Sequence, residues 1–381
     1  MNIVTLLQPT RIVFGNGCAV QAVDYLKQRQ VKNVLLVTSR SVRPQIGFLV
    51  EALQQAGSAV VEAGFIPAEP TLEFFNAMLR QNRGSQIDAV LAVGGGSVID
   101  VAKLLAALMD GEQSAAQVFG INLVQGRALP LVCLPTTAGT GAEVSPNSIL
   151  LDEASELKKG VVSPYLVPDA AFVDPLLTVK VPAAVTAATG LDALTHCLEA
   201  YANKFAHPIV DQYALQGMKL IAANLRRAVQ DGNDLEARAA MALGSLYGGL
   251  CLGPVNTAAV HALSYPLGGR FRIAHGVANA LLLPHVCRFN FSAAPERFAD
   301  ISAALGVERN GSALTTAEHG VEFLARLSRD CGVPQKLSEL NIPRQAIAPM
   351  AQAAMQVTRL LKNNLRPLTE ADAAQIYHSA Y

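Results

Sequence analysis

"IDAVLAVGGGSVIDVAKLLAALMD", residues 87–110, decides the fold. Its first part is a continuous apolar run and its last part carries apolar residues at helical spacing. Gly94, Gly95 and Gly96 join the two. An apolar strand that runs through a tight glycine turn into a helix is one half of a βαβ unit, whose strand is buried on both faces. Outward from this segment the same alternation recurs. Upstream lie "TRIVFG", "AVQAVDYLKQRQ", "VKNVLLVTS", "RPQIGFLVEALQQAG", "SAVVEAG" and "TLEFFNAMLRQNR"; downstream lies "LPLVCLPTTAGTG". The pattern predicts an α/β, Rossmann-like parallel sheet covered on both faces, with ligands at the carboxyl ends of the strands. After "DAAFVDP" the strand-like runs thin out. From about Pro182 the chain is rich in Ala and Leu at helical spacing, as in "ALQGMKLIAANLRRAV". Two domains are expected, an α/β domain over 1–181 and an all-α domain over 182–381, packed around a shared cleft.

Composition narrows the partners. Of the 381 residues, 51% are hydrophobic and 16% charged, enough apolar material for a large core. Lys plus Arg equals Asp plus Glu at 30 each, so there is no basic field for nucleic acid and no polybasic stretch for an anionic membrane. The opening "MNIVTLLQPTRIVFGNG" lacks the features of a signal peptide, and no apolar run is long enough to span a bilayer. A cytoplasmic protein with a small-molecule partner is expected. Cys18, Cys133, Cys197, Cys251, Cys287 and Cys331 are scattered without a CxxC pair, which predicts buried reduced thiols.

Two turns are candidates for a nucleotide. The loop from Gly94 to Ser97 lets backbone approach a pyrophosphate at the positive end of the following helix. Its spacing is not GxGxxG, because Ile99 stands where the last glycine would be. The turn "PTTAGTGAEVS" ends another strand and offers Thr136, Thr137 and Thr140.

The second half holds a metal-ligand pattern. In "TGLDALTHCLEA", Asp192 and His196 stand at i and i+4, on one helix face, where they can chelate one ion. An ordinary Asp–His hydrogen-bonded pair has the same spacing. The stretch "HALSYPLGGRFRIAH", 261–275, carries a histidine at each end. In one continuous helix these would lie roughly 21 Å apart. Pro266, Gly268 and Gly269 are expected to interrupt the helix and turn the chain back, bringing His261 and His275 to the same ion. Asp192, His196, His261 and His275 then form an N₃O set suited to Fe(II) or Zn(II), with room for a substrate oxygen. His207, His285, His319 and His378 do not join this pattern.

Together, "FGNG", "GGGSVIDVAK", "PTTAGTGAEVS", "AATGLDALTHCLEAY", "HALSYPLGG", "AHGVANALLLPHV" and "LTEADAAQIYHSAY" resemble the iron-dependent (group III) alcohol dehydrogenases. Their superfamily also holds glycerol dehydrogenase and dehydroquinate synthase. The resemblance implies that the four residues above are the metal ligands and that Gly94, Gly95, Gly96, Ser97 and the threonines hold a nicotinamide dinucleotide. It also implies that Lys158 reaches this cofactor, that Asn147, Leu252 and Tyr265 line the site with Asn147 on the cofactor side, and that the chain is a homodimer.

Two positions depart from the family. Ser39 and Arg40 follow "VLLVT" where many members have an Asp that binds the adenosine ribose and repels a 2′-phosphate, so NADP(H) is favoured over NAD(H). Tyr265 stands where many members carry another histidine; it and His275 are the candidate catalytic side chains. The implied reaction is NAD(P)-linked alcohol oxidation or aldehyde reduction, with direct hydride transfer between nicotinamide C4 and a small substrate polarised by the metal. A dehydroquinate-synthase-like lyase needs more charge around its substrate than these apolar helices offer. A nucleotide- or metal-binding protein without turnover is the remaining alternative, and the intact ligand set argues against it. Arg270 and Arg272 are read as solvated charges, with recognition of an acidic substrate tail as the alternative.

Overall fold

The computed structural model describes residues 3–381. The chain divides into two compact units. One comprises Leu7–Thr137 and Gly141–Val179; the other is built on Lys180–Tyr381 and includes Ala138–Thr140.

The first unit is the expected parallel-sheet α/β fold. Its strands are β1 (Arg11–Phe14), β2 (Asn33–Thr38), β3 (Ala59–Phe65), β4 (Ala89–Gly94), β5 (Gly120–Ile121), β6 (Leu131–Pro135), β7 (Asn147–Asp152), β8 (Leu157–Val162) and β9 (Ala170–Val173). Between them run α1 (Gln21–Gln28), α2 (Gly47–Gln55), α3 (Leu72–Asn82), α4 (Gly96–Leu108) and the single turn α5 (Ala115–Val118). Six strands form one sheet in the order β1-β9-β6-β4-β2-β3, every pair parallel. The central strands β4 and β6 are buried at every residue, as expected of a sheet with helices on both faces. Two apolar clusters flank it, one around Val90, Ile99 and Leu104, the other around Leu26, Leu36 and Phe172.

One element was not anticipated. β7 and β8 form an antiparallel pair, with β5 added parallel to β8, giving a separate three-stranded sheet.

The second unit is helical: α6 (Ala183–Tyr201), α7 (Pro208–Gln230), α8 (Leu235–Leu252), α9 (Ala259–Phe271), α10 (His275–Asn290), α11 (Pro295–Ala304), α12 (Ala313–Asp330), α13 (Ile347–Ala354), α14 (Thr358–Leu361) and α15 (Glu370–Ser379). Nearly all of α6 beyond its first turn is buried, so it reads as apolar on every side and serves as the central helix. Its first turn is tied down by buried Arg238, which donates to Thr186 Oγ1 at 2.8 Å and to the Val181 carbonyl at 3.3 Å.

The expected helix break falls elsewhere than the sequence suggested. α9 runs through Pro266, Gly268 and Gly269 and ends at Phe271. Proline removes one hydrogen bond and crowds the carbonyl four residues back, yet here the segment from Ala259 to Gly269 is buried throughout, and packing holds it helical. The chain turns at Arg272, whose φ is +57°. The Arg272 and Ile273 amides donate back to the Gly268 and Leu267 carbonyls at 3.1 and 3.2 Å. α10 then starts at His275, so the reversal itself is present.

All six cysteines are free and buried, as the sequence predicted. Among the described residues no helix is long and apolar enough to cross a membrane.

Candidate functional site

In the helical unit, three helices bring four side chains to one point. α6 supplies Asp192 and His196 one turn apart. His261 comes from the first turn of α9, and His275 opens α10. Asp192 Oδ1 lies 3.8 Å from His196 Nε2, 3.6 Å from His261 Nε2 and 3.7 Å from His275 Nε2. Potential ligand atoms of Asp192, His261 and His275 all fall within 4.8 Å of one another. The His196 and His261 rings stack with centroids 4.8 Å apart, and those of His261 and His275 meet edge-on at 5.1 Å.

These separations fit an ion. A tetrahedral centre with bonds of 2.0–2.2 Å spaces its ligands about 3.3–3.6 Å apart, close to the 3.6–3.8 Å that separate Asp192 Oδ1 from the three imidazole Nε2 atoms. Three neutral imidazoles and a carboxylate suit a borderline divalent metal rather than Ca²⁺ or Mg²⁺, which take oxygen ligands. Asp192, His196 and His261 are buried, whereas the His275 side chain is 26% exposed, leaving one open side.

The electrostatics agree with a cation site. Burial pushes the Asp192 carboxyl up, but the charges of His196, His275 and His261 overcome it and hold the group well below the usual carboxylate range. For His261, burial opposes the charged form, while the Asp192 carboxylate and the hydrogen-bonded Glu199 carboxylate raise its pKa to about 9. Burial lowers His196, against the pull of Asp192. A bound divalent ion would replace the histidine protons as the positive partner of the Asp192 carboxylate.

Two side chains here were missed in the sequence. Glu199, two turns beyond Asp192 on α6, accepts from the Val260 amide and faces His261 Nδ1, both at 2.6 Å. Asn279, one turn beyond His275, donates through Nδ2 to Asp192 Oδ1 at 2.7 Å, and the same nitrogen lies 3.1 Å from His261 Nε2 and 3.2 Å from His275 Nε2. Helical spacing from an expected ligand is the only sequence signal for either residue.

Tyr265, one turn after His261, is buried with its ring centroid 6.3 Å from that of His275. Leu252, at the end of α8, is also buried. His285 is half-buried on α10, and burial lowers its pKa. Arg270 and Arg272 are exposed.

In the sheet unit, the nucleotide candidates cluster at the carboxyl ends of neighbouring strands. Ser39 follows β2, the glycine loop follows β4, and Thr136 follows β6; β2 pairs with β4 and β4 with β6. The Thr136 amide donates to the Gly94 carbonyl at 3.0 Å, tying the two turns together. Gly94 is required by close approach, since a Cβ there would stand 2.6 Å from the Val98 side chain. The N-cap residue of α4 is Gly95, which has no side chain to satisfy the first N–H groups of the helix, the kind of helix start that suits an anion. Ser97 instead donates its hydroxyl to the Ala68 carbonyl. Ser39 is half-buried, with its hydroxyl 3.2 Å from that of Ser41; Arg40 is exposed and lies over the Phe65 ring at 5.6 Å. Thr140 groups with the helical unit.

Lys158 lies on β8 and pairs with Glu69 at 2.7 Å, its side chain 7% exposed. Asn147 opens β7, and its carbonyl accepts from buried Lys103 Nζ at 2.7 Å. Lys103 also donates to the Ser145 carbonyl at 2.7 Å, and Asp100 accepts the Ile149 amide at 3.1 Å. Thus the helix after the glycine loop grips the strand that carries Asn147. Burial pushes the Lys103 amine down and the Asp100 carboxyl up to about 6, with each one's charge opposing the other's shift. Nothing in the sequence alone singles out either residue.

Comparison with known proteins agrees with both halves. The family model described as "Iron-containing alcohol dehydrogenase" matches residues 9–175, and "Fe-containing alcohol dehydrogenase family, C-terminal" matches 186–381. The chain is 40% identical to long-chain-alcohol dehydrogenase 1 of Geobacillus thermodenitrificans, covering 100% of this chain and 98% of that one. It is 34% identical to the NAD-dependent methanol dehydrogenase of Bacillus methanolicus, covering 98% of each. A solved structure of 1,3-propanediol oxidoreductase superposes over 100% of both chains with a TM-score of 0.95 at 36% identity. These matches set aside the lyase and the binding protein without turnover. The chain belongs to the iron-containing alcohol dehydrogenase family, the metal-dependent oxidoreductases of alcohols and aldehydes.

Proposed function

We propose that Asp192, His196, His261 and His275 hold one divalent ion, Fe(II) in the cell with Zn(II) as its competitor, and that the sheet unit holds a nicotinamide dinucleotide. The observation that carries this is the convergence of three Nε2 atoms within 3.6–3.8 Å of a single carboxylate oxygen. When bound, the ion supplies Lewis acidity to the substrate oxygen and the dinucleotide exchanges the hydride. The chain's own residues do the rest. Asp192 offsets the ion's charge, and the open side at His275 admits the alcohol or aldehyde. Tyr265, one turn from His261 and beside His275, carries the hydroxyl proton to or from solvent.

The dinucleotide lies along the carboxyl ends of β2, β4 and β6. Its pyrophosphate sits on Gly94, Gly95, Gly96 and Ser97, with Thr136, Thr137 and Thr140 alongside. Asn147 and Lys158 serve the cofactor from the β7–β8 sheet. NAD(H) use is supported by the name of the Bacillus methanolicus relative. Ser39 and Arg40, which place no carboxylate at the end of β2, favour NADP(H). Residues 1–181 act as the dinucleotide-binding domain and 182–381 as the metal-binding domain of a cytoplasmic homodimer. Its substrates are small alcohols and aldehydes.

The test is a steady-state assay of nicotinamide absorbance across a panel of alcohols and aldehydes, with the protein reconstituted anaerobically with Fe(II). Turnover of at least one class is expected. Absence of turnover across the panel, with metal and cofactor both bound, would contradict the reading.

A further inference from the structure

We propose that Glu199 is a positioning residue for the metal centre: its carboxylate holds the His261 ring with Nδ1 as the donor, so that Nε2 presents its lone pair to the ion. The inference rests on the reading of His261 as a ligand. Asp192, His196 and Glu199 follow one another at intervals of four and three on α6, so they share a face of that helix. Glu199 is 3% exposed, and a carboxylate so buried is costly unless its oxygens are hydrogen-bonded. Both are used. Oε1 accepts the Val260 amide and Oε2 meets His261 Nδ1, each at 2.6 Å. With carboxylate oxygens as the acceptors, Nδ1 is the ring nitrogen that donates. A carboxylate behind a histidine fixes its tautomer and angle and raises its basicity as a ligand.

The Val260 contact gives Glu199 a second, purely structural task. Val260 lies in the first turn of α9, where amides lack intrahelical partners, and no side chain of α9's own N-terminus caps it. Capping and ligand positioning predict different losses. Gln at this position has one acceptor where Glu has two, so either the Val260 amide or His261 Nδ1–H loses its partner. A cap alone would cost thermal stability and leave metal affinity intact. Positioning costs affinity.

The experiment measures Zn(II) affinity by competition with a chromogenic chelator, alongside the melting midpoint of the metal-free protein, for wild type, Glu199→Gln and Glu199→Asp. Glu199→Gln is expected to weaken Zn(II) binding about 10- to 100-fold. Glu199→Asp keeps the charge but not the reach, and is expected to weaken binding at least tenfold; it carries the test if the glutamine variant fails to fold. Wild-type affinity in either folded variant, with or without a lowered melting midpoint, overturns the positioning role. A wild-type protein that binds no Zn(II) removes the ligand reading itself, and the proposal with it.

Discussion

A Cβ on Gly276 would stand 2.3 Å from the carbonyl oxygen of Ala188, so α10 meets α6 backbone to backbone one residue after His275 and four before Asp192. The contact is between main chains, and no side-chain rotation relieves it. It sets how far His275 lies from Asp192. Gly276→Ala is therefore expected to lower stability by about 1–3 kcal/mol and to reduce metal content at a given free-metal concentration. Thermal denaturation and metal analysis of the purified variant check it. Unchanged metal content would separate this contact from the site.

Ser39→Asp is expected to depress kcat/KM for NADP(H) at least tenfold while leaving NAD(H) use nearly unchanged. A carboxylate at the end of β2 would face a 2′-phosphate of up to two negative charges, and tenfold corresponds to only about 1.4 kcal/mol of repulsion. A wild-type preference for NAD(H) above tenfold would show that this turn does not select the cofactor.

Tyr265→Phe is expected to lower kcat by about a hundredfold, the usual size of a lost proton-transfer group, with metal content preserved. The size of the solvent isotope effect on kcat reports whether the proton step has changed. An unaltered kcat would make Tyr265 part of the wall only.

Glu143 gives a pH signature in the sheet unit. Burial first, with weaker opposition from its own backbone and Lys103, raises its pKa from 4.5 to about 7. Between these values the folded chain holds a proton that the unfolded chain has released, so stability is fully present below about 4.5 and lost as pH rises through 7. At most about 3 kcal/mol is involved. Glu143→Gln is expected to melt above wild type near pH 8 and level with it near pH 5. An equal difference at both pH values would rule out this titration.

Legibility in the sequence followed the range of the contacts. The Asp192–His196 pair was readable because a one-turn spacing is local to a helix. That His261 and His275 meet was readable from the need for a reversal, but its place was not: Pro266 and the glycines signal a break that burial of α9 overrides, and the turn falls at Arg272, which has no special propensity for it. Glu199 and Asn279 look like ordinary helix residues until α9 and α10 are packed against α6. The β7–β8 pair was obscured by charge, since "SELKKG" reads as a solvated loop until Lys158 meets Glu69 and Lys159 meets Asp152. Lys103 similarly reads as a surface lysine of α4, although three acceptors bury it.

The activity proposed for this chain depends on one ion held by Asp192, His196, His261 and His275. The most direct measurement strips the metal from wild type and His261→Ala, titrates Fe(II) back anaerobically, and follows both metal uptake and aldehyde-dependent oxidation of the reduced nicotinamide cofactor, with cofactor binding measured separately. Wild type is expected to regain activity in proportion to uptake and to saturate at one ion per chain. His261→Ala is expected to bind cofactor as wild type does, yet to take up little Fe(II) and to stay inactive. Turnover by stripped wild type, or metal-independent activity in His261→Ala, would contradict the account.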